Sequence, residues 1–232
     1  MQSSRSSLTR QRLLTSAAEV IAENGYASSA LSTVARRLGL TKGAFAYHFP
    51  TKKSIADALA DAFDVDSRKV KAAADTIYPD QPAHAFVLYL IGLGHHLAAD
   101  PITRASATLA FDLTSPVENS KAIIATFREP VQDYISRIGE KYGTTPKRGY
   151  DLVSEAVTSL LIGQNFVSTR SERPVGVERF RTIRIILDMA GLADTDEIVK
   201  EVAQASVKNP DFKAPVYKRG VLTLADPDAD SA

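Results

Sequence analysis

The 232-residue chain has no cysteine, no tryptophan and only two methionines. Without cysteine it can build neither a disulfide framework nor a thiolate metal site, which fits a cytoplasmic protein. Long apolar runs are missing as well. Hydrophobic residues make up 44% of the sequence, yet no run approaches the roughly 20 residues of a bilayer span, so the chain is expected to be soluble with no membrane partner. Its start, MQSSRSSLTRQRLLTSA, lacks the apolar stretch and small-residue cleavage site of a secretory signal. Strand alternation and fixed-period repeats are absent too. There is no Gly-x-Ser-x-Gly elbow, phosphate-binding loop or His-Glu-x-x-His, so neither an enzyme activity nor a cofactor is expected.

Net charge is close to zero, but it is unevenly divided. Residues 1–53 hold eight bases (Arg5, Arg10, Arg12, Arg36, Arg37, Lys42, Lys52, Lys53) against two acids (Glu19, Glu23), a net +6, which leaves −5 for the rest of a chain that totals +1. A basic head on a mildly acidic body points to a polyanionic partner for the head alone. The length allows one large helical domain or two modest ones.

Apolar periodicity says what the head is made of. Leu14, Ala17, Ala18, Ile21 and Ala22 recur at three- and four-residue spacing, which predicts a helix over 8–24 ended by Asn24-Gly25. Ser32 is read as the cap of a second helix with Val34, Ala35 and Leu38 inward, stopped by Gly39. Thr41 is a good N-cap for a third, through about His48, and Pro50 ends it. Two short helices around a glycine-containing turn make a helix-turn-helix, braced by the first helix. Longer helices are predicted over 52–74, 83–99, 102–113, 117–142, 148–169, 174–190 and 194–207. Their breaks fall at Tyr78-Pro79, Asp100-Pro101, Ser115-Pro116, Thr145-Pro146 and Arg173-Pro174. The fold class is therefore all-α, with a helix-turn-helix head at 1–53 and a helical body at 54–207. From 208 to 232 prolines mix with basic and then acidic charge, so this tail is expected to be mobile unless it docks.

The segment LGLTKGAFAYHFPTK, residues 38–52, gathers glycines, lysines, aromatics, a histidine and a proline that a packed core would not select together. In a helix-turn-helix the second helix enters the major groove, with its first residues at base edges and flanking residues on phosphates. Lys42 on the first turn adds its charge to the positive helix end. Gly43 and Ala44 are small enough to let the backbone approach DNA. Tyr47 and His48 can donate to phosphate oxygens, and Lys52 with the amides of the next helix start can hold another. Phe45 and Phe49 are expected to face inward. The alternative is a structural helical hairpin with solvated charges, which the +6 head disfavours.

The stretch ARRLGLTKGAFAYHFPTKKSIADAL resembles the DNA-binding segment of TetR-family transcriptional repressors. That pattern has a helix, then Gly-Val-(Ser/Thr)-Lys-Gly, small and aromatic residues, Tyr-x-(His/Tyr)-Phe, and a Ser/Thr-Lys start to the next helix. The likeness covers about residues 8–60. It implies DNA contacts by Thr41, Lys42, Tyr47, His48 and Lys52, with Ser32 and Thr33 on phosphates at the second helix's start. Ala46 beside Phe45 departs from the Leu-Tyr or Ile-Tyr pair of many relatives.

The same resemblance implies that the body is a ligand-binding and dimerisation domain, and that the partners are a double-stranded DNA operator, a small-molecule inducer and a second copy of the chain. The dimer is expected through helices near 148–169 and 174–190. On the first, Leu152, Ala156, Ser159, Leu160 and Gly163 form one face; on the second, Phe180, Ile183, Leu187 and Ala190 do, although both could be ordinary core. Two further stretches, TRASATLAFDLTSP (103–116) and LIGQNFVS (161–168), are similar to segments of the streptomycete gamma-butyrolactone autoregulator receptors. Those receptors usually carry a pocket tryptophan on the long middle helix. This chain has Phe127 near that place, and Gln164 or Asn165 stands for the usual glutamine. The implied pocket takes a butyrolactone, butenolide or related lipophilic signal, unless ligand response has been lost. An apolar wall with a few polar groups would suit it, and Tyr89, Thr108, Phe111, Phe127, Tyr134, Gln164 and Phe166 are the candidates. His95, His96 and Asp100 offer a metal site in principle, but matching ligands nearby are missing, so no metal is expected. A nonspecific architectural DNA binder, and a helical enzyme or sequestering carrier with a relic head, remain as other classes.

Overall fold

The computed structural model describes residues 2–146, 148–168, 175–208, 216–218 and 221–223. Among them are ten helices: α1 Gln2–Ser28, α2 Leu31–Arg37, α3 Lys42–His48, α4 Lys52–Ile77, α5 Pro82–Ala99, α6 Pro101–Phe111, α7 Val117–Tyr142, α8 Tyr150–Ser168, α9 Val175–Met189 and α10 Thr195–Lys208. The one short antiparallel hairpin, β1 Val216–Lys218 with β2 Val221–Thr223, falls in the tail that the sequence offered as mobile. The predicted breaks at Tyr78-Pro79, Asp100-Pro101, Ser115-Pro116 and Thr145-Pro146 fall at helix boundaries or between helices, Arg173-Pro174 lies outside the described residues, and Pro82 adds a start that the sequence reading did not single out. Pro82 and Pro101 open α5 and α6, where a missing N–H costs nothing. Pro130 sits inside α7, whose helix continues through it with one ladder bond fewer.

Two boundaries differ from the periodicity. α1 starts near the chain's beginning rather than at residue 8, because the polar turns before Leu8 contain no breaker. At its other end Gly25 leaves the helical conformation (φ 76°, ψ 168°), so the long helix breaks where Asn24-Gly25 was expected to end it and only a short turn carries on to Ser28. The cap of α2 is Ala30, with no side-chain hydrogen bond, so Ser32 lies in the first turn and is not the cap.

The chain divides into two compact units, residues 1–66 with 101–126, and residues 67–100 with 127–232. In the first, α1 packs on α6 and on α2, and α2 on α3. Its interior holds Leu13, Leu14, Ala17, Ala18 and Ile21 from α1, Val34 and Ala35 from α2, Phe45 and Phe49, Ile55, Leu59 and Phe63 from α4, and Ala105 and Leu109 from α6. In the second, α5 is buried along its first three turns, Pro82 to Leu93, as expected of a helix that is apolar on all sides. Against it lie α9 and α10, and the same core takes in Phe127, Val131, Tyr134, Ile135 and Ile138 of α7. Among the described residues no single helix is long and apolar enough to cross a membrane.

Candidate functional site

The head's exposed surface is built on a small aromatic platform. Phe45 and Phe49 are buried, with ring centroids 5.9 Å apart, and the Arg10 guanidinium lies 4.7 Å over the Phe49 ring. With those two side chains turned in, the 3.6-residue period turns the residues between them outward. Thr41, Lys42, Gly43 and Tyr47 are exposed, and Ala46 and His48 are half-buried. The Thr41 hydroxyl accepts from the Ala44 N–H at 3.2 Å, the predicted cap. Tyr47 and His48 rings meet edge to face at 5.1 Å. A Cβ on Gly43 would meet nothing within 4 Å, so the chain's own packing gives no reason for glycine there.

The turn before α3 has a steric cause. Gly39 takes φ 66°, a left-handed conformation that side chains resist, and the Leu40 N–H returns to the Ala35 carbonyl at 2.9 Å. α2 is braced on α1 by Arg37, whose two terminal nitrogens reach Glu23 at 3.3 and 3.4 Å. Ser32 is exposed and Thr33 half-buried in the first turn of α2.

Lys52 is placed differently from the other candidate contacts. Its ammonium donates to the Ala27 carbonyl at 2.9 Å and lies 4.4 Å over the Tyr26 ring. Burial lowers its pKa, and the nearby Asp112 charge partly offsets this. Lys52 therefore holds the corner between α1 and α2 in this structure. At the start of α4, Thr51 and Ser54 cap each other: the Ser54 N–H donates to Thr51 Oγ1 at 3.0 Å and the Thr51 N–H to Ser54 Oγ at 3.3 Å.

The residues proposed for a ligand are drawn from both compact units. Thr108 and Phe111 belong to α6 in the first unit, where the Thr108 hydroxyl donates to the Arg104 carbonyl at 3.0 Å and Phe111 is 40% exposed. Tyr89, Phe127, Tyr134 and Gln164 belong to the second unit. There Tyr89 and Tyr134 meet at 5.7 Å, Tyr134 stacks on Phe86 at 5.1 Å, and the Tyr89 hydroxyl lies 3.0 Å from Ser67 Oγ. Phe127 is fully buried and Gln164 half-buried. The Phe166 side chain lies outside the described residues.

An ionic cluster covers Tyr134. Lys71 Nζ and the Arg137 guanidinium sit 4.9 and 5.3 Å over its ring. Lys71 reaches Asp75 at 2.8 Å and Asp133 at 2.9 Å, and Arg137 reaches the same two carboxylates at 2.8 and 3.3 Å. Asp75 Oδ2 accepts from Lys71 and Oδ1 from Arg137, and the buried Tyr134 hydroxyl, beside the same carboxylate, makes no hydrogen bond of good geometry. Burial first, and then the Asp75 charge, pushes the Tyr134 pKa up; burial does the same to Tyr89 against the opposing Ser67 bond. Sequence reading missed this cluster, although the i,i+4 pairs Lys71/Asp75 and Asp133/Arg137 could have marked it.

The two helix faces expected to meet a second copy fare differently. On α8, Leu152, Ala156 and Ser159 are exposed, and Leu160 and Gly163 half-buried. On α9, Ile183 and Leu187 are buried within the chain, as is Ala190 just past its end, and Phe180 is half-buried, while Ile185 is 52% exposed. The richest apolar stripe of α9 serves α5, α8 and α10 of its own unit, and what remains outward on this helix includes Ile185. Among the described residues no three His, Cys, Asp or Glu come together as a metal site.

Fold and head together define a predominantly helical protein, ten helices among the described residues, with an N-terminal helix-turn-helix whose second helix presents a polar, basic and aromatic face. Residues 13–59 match the family model for bacterial regulatory proteins of the tetR family. No curated protein sequence matches the chain. Among solved structures, an ArpA-like gamma-butyrolactone receptor aligns with a TM-score of 0.71 and 18% identity, over 88% of this chain and 99% of that one. The TetR family protein CprB from Streptomyces coelicolor, in complex with its biological operator sequence, aligns at 0.63 and 21% identity, over 86% of this chain and 97% of its own. NalD, the secondary repressor of the MexAB-OprM multidrug efflux pump in Pseudomonas aeruginosa, gives 0.62 and 17% over 80% and 96%. The chain resembles TetR-family transcriptional regulators, in sequence through the head and in fold over most of its length.

Proposed function

We propose that the chain is a homodimeric transcriptional repressor that binds a palindromic operator through α3 and leaves it when a small lipophilic signal, of butyrolactone or butenolide type, enters the body. The observation that carries the DNA reading is the α3 face, where Thr41, Lys42, Gly43 and Tyr47 are exposed over a buried Phe45–Phe49 platform. A bare glycine next to a lysine, with no internal use for either, suits close approach to a groove and a phosphate. Ser32, Thr33 and His48 flank that face, and Lys52 supports it from the corner. A head over 1–53, a body over 54–207 and a second copy meeting the exposed α8 face of Leu152, Ala156 and Ser159 complete the reading. Two heads would then enter major grooves about 34 Å apart. The signal's closest candidates for contact are Tyr89, Phe127, Tyr134 and Gln164.

The likeness to a gamma-butyrolactone receptor and to an operator-bound regulator supports this reading. The second reading, a regulator that no longer responds to ligand, draws on the filled aromatic and ionic surroundings of Tyr134. The test is binding of the purified chain to DNA from its own upstream region, with unrelated DNA as competitor and with or without an extract of the producing culture. Wild type should bind one site that competitor does not displace, and Lys42→Ala should lose it while remaining folded and dimeric. Displacement by any DNA would leave an architectural binder. Release by the extract separates the inducible repressor from the unresponsive one.

A further inference from the structure

Asp112 follows the last residue of α6 and belongs to none of the side chains that pointed to function. In the first unit its carboxylate serves two partners. Oδ1 accepts from the Thr114 backbone N–H at 2.9 Å and the Thr114 hydroxyl at 2.5 Å, which fixes its direction. Oδ2 accepts from the backbone N–H of Tyr26 at 2.6 Å, across 86 residues of sequence. Tyr26 stands in the corner that joins α1 to α2, next to the kink at Gly25. A Cβ on Gly25 would lie 3.2 Å from the same Oδ2, so glycine there both permits φ 76° and leaves room for the carboxylate.

The corner is held from other sides too. Lys52, the first residue of α4, donates to Ala27 and covers the Tyr26 ring. Buried Ser29 closes on the Tyr26 carbonyl through its hydroxyl at 2.7 Å and its N–H at 3.2 Å. α2 starts two residues later without a side-chain cap of its own. The placement of α2, and of α3 after the Gly39 turn, is therefore inherited from this corner.

We infer that Asp112 is a positioning residue for DNA binding: it latches the α1–α2 corner to the end of α6 and so holds the helix-turn-helix in its binding arrangement. This rests on the DNA-binding reading above. A corner without its latch must be ordered when DNA binds, and that ordering costs affinity. Simple electrostatics predicts the opposite sign, since removing an acid from a DNA-binding unit reduces repulsion of phosphates. The sign of the effect therefore separates a latch from a bystander charge.

The experiment uses the full chain, a fragment of its own upstream DNA, and the variants Asp112→Ala, Asp112→Asn and Asp61→Asn, the last an exposed acid of the same unit. Binding is read at several salt concentrations, and hydrogen exchange is followed at the Tyr26 amide. Asp112→Ala should bind about tenfold more weakly with an unchanged salt slope, because no phosphate contact is lost. Asp112→Asn keeps an oxygen for the Tyr26 N–H and should recover most of the affinity, while Asp61→Asn should bind as wild type or more tightly. The Tyr26 amide should exchange faster in Asp112→Ala than in wild type. Equal or tighter binding by Asp112→Ala overturns the positioning role, and unchanged Tyr26 exchange overturns the latch itself. A wild type that binds no DNA overturns the reading on which the role rests, and the exchange result still decides the latch.

Discussion

Tyr47 on α3 and Tyr134 on α7 carry the same side chain into opposite settings. Tyr47 leaves 82% of its surface exposed, two residues from Phe45 and Phe49, which are almost fully buried. Tyr134 is fully buried, stacked on Phe86, touched by Tyr89 and covered by Lys71 and Arg137. Burying a large apolar side chain stabilises a fold by about 1.5–3 kcal/mol, a gain the head forgoes at residue 47. The difference teaches where each unit spends its aromatics. The second unit uses Tyr134 to fill its interior, and the head fills its interior with two phenylalanines and leaves Tyr47 exposed, edge to face with His48.

The largest expected effect breaks the comparison at its buried end. Tyr134→Ala should cost about 3–5 kcal/mol in urea unfolding, because it removes the ring under the ionic cluster. Tyr134→Phe should stay within about 1 kcal/mol of wild type, since the hydroxyl makes no hydrogen bond of good geometry. At the other end, Tyr47→Ala should change stability by no more than about 0.5 kcal/mol and abolish DNA binding. A Tyr47→Ala chain as unstable as Tyr134→Ala would show that both tyrosines are interior props.

Next in size is the response to acid, which separates the ionic cap of Tyr134 from the charges of the α3 face. Burial pulls the Asp75 carboxyl up, but its bonds to Lys71 and Arg137 outweigh that and hold it below its ordinary value. A carboxyl lowered in the folded state stabilises above its unfolded pKa of about 3.9, and that contribution is lost as pH falls through the folded value. Stability should therefore hold from neutral pH to about 5 and drop below about 4, with Asp75→Asn flattening the drop. A fall that begins near pH 6 would mean the cluster does not control it.

Local chemistry made much of this legible. Thr41 announced its helix through a cap that needs only the next three residues, and the four-residue spacing of Phe45 and Phe49 fixed the inward side of α3. Proline marked the starts of α6 and α7 because it acts on its own turn. What stayed hidden depends on distant partners. No pattern around Asp112 tells that Tyr26 will supply its N–H, and nothing next to Lys52 tells that Ala27 and Tyr26 will take its ammonium. The apolar stripe of α9 had the right period for an interface and also for a core, and periodicity cannot choose between a neighbour in the chain and a second copy.

The smallest expected effect tests the free surface where it is barest. Gly43 lies in the first turn of α3, where alanine is the better helix former by up to about 1 kcal/mol, and a Cβ there would touch nothing in the chain. Gly43→Ala should therefore stabilise the folded protein by up to about 1 kcal/mol, seen as a small rise in the urea midpoint. If α3 approaches a groove closely, the same methyl group should weaken DNA binding, so stability and affinity move in opposite directions. Two changes of the same sign would mean that glycine at 43 answers to no partner. Opposite signs, from a substitution that adds one methyl group and removes no contact, would place the reason for that glycine outside the chain, on the surface that Tyr47 shares.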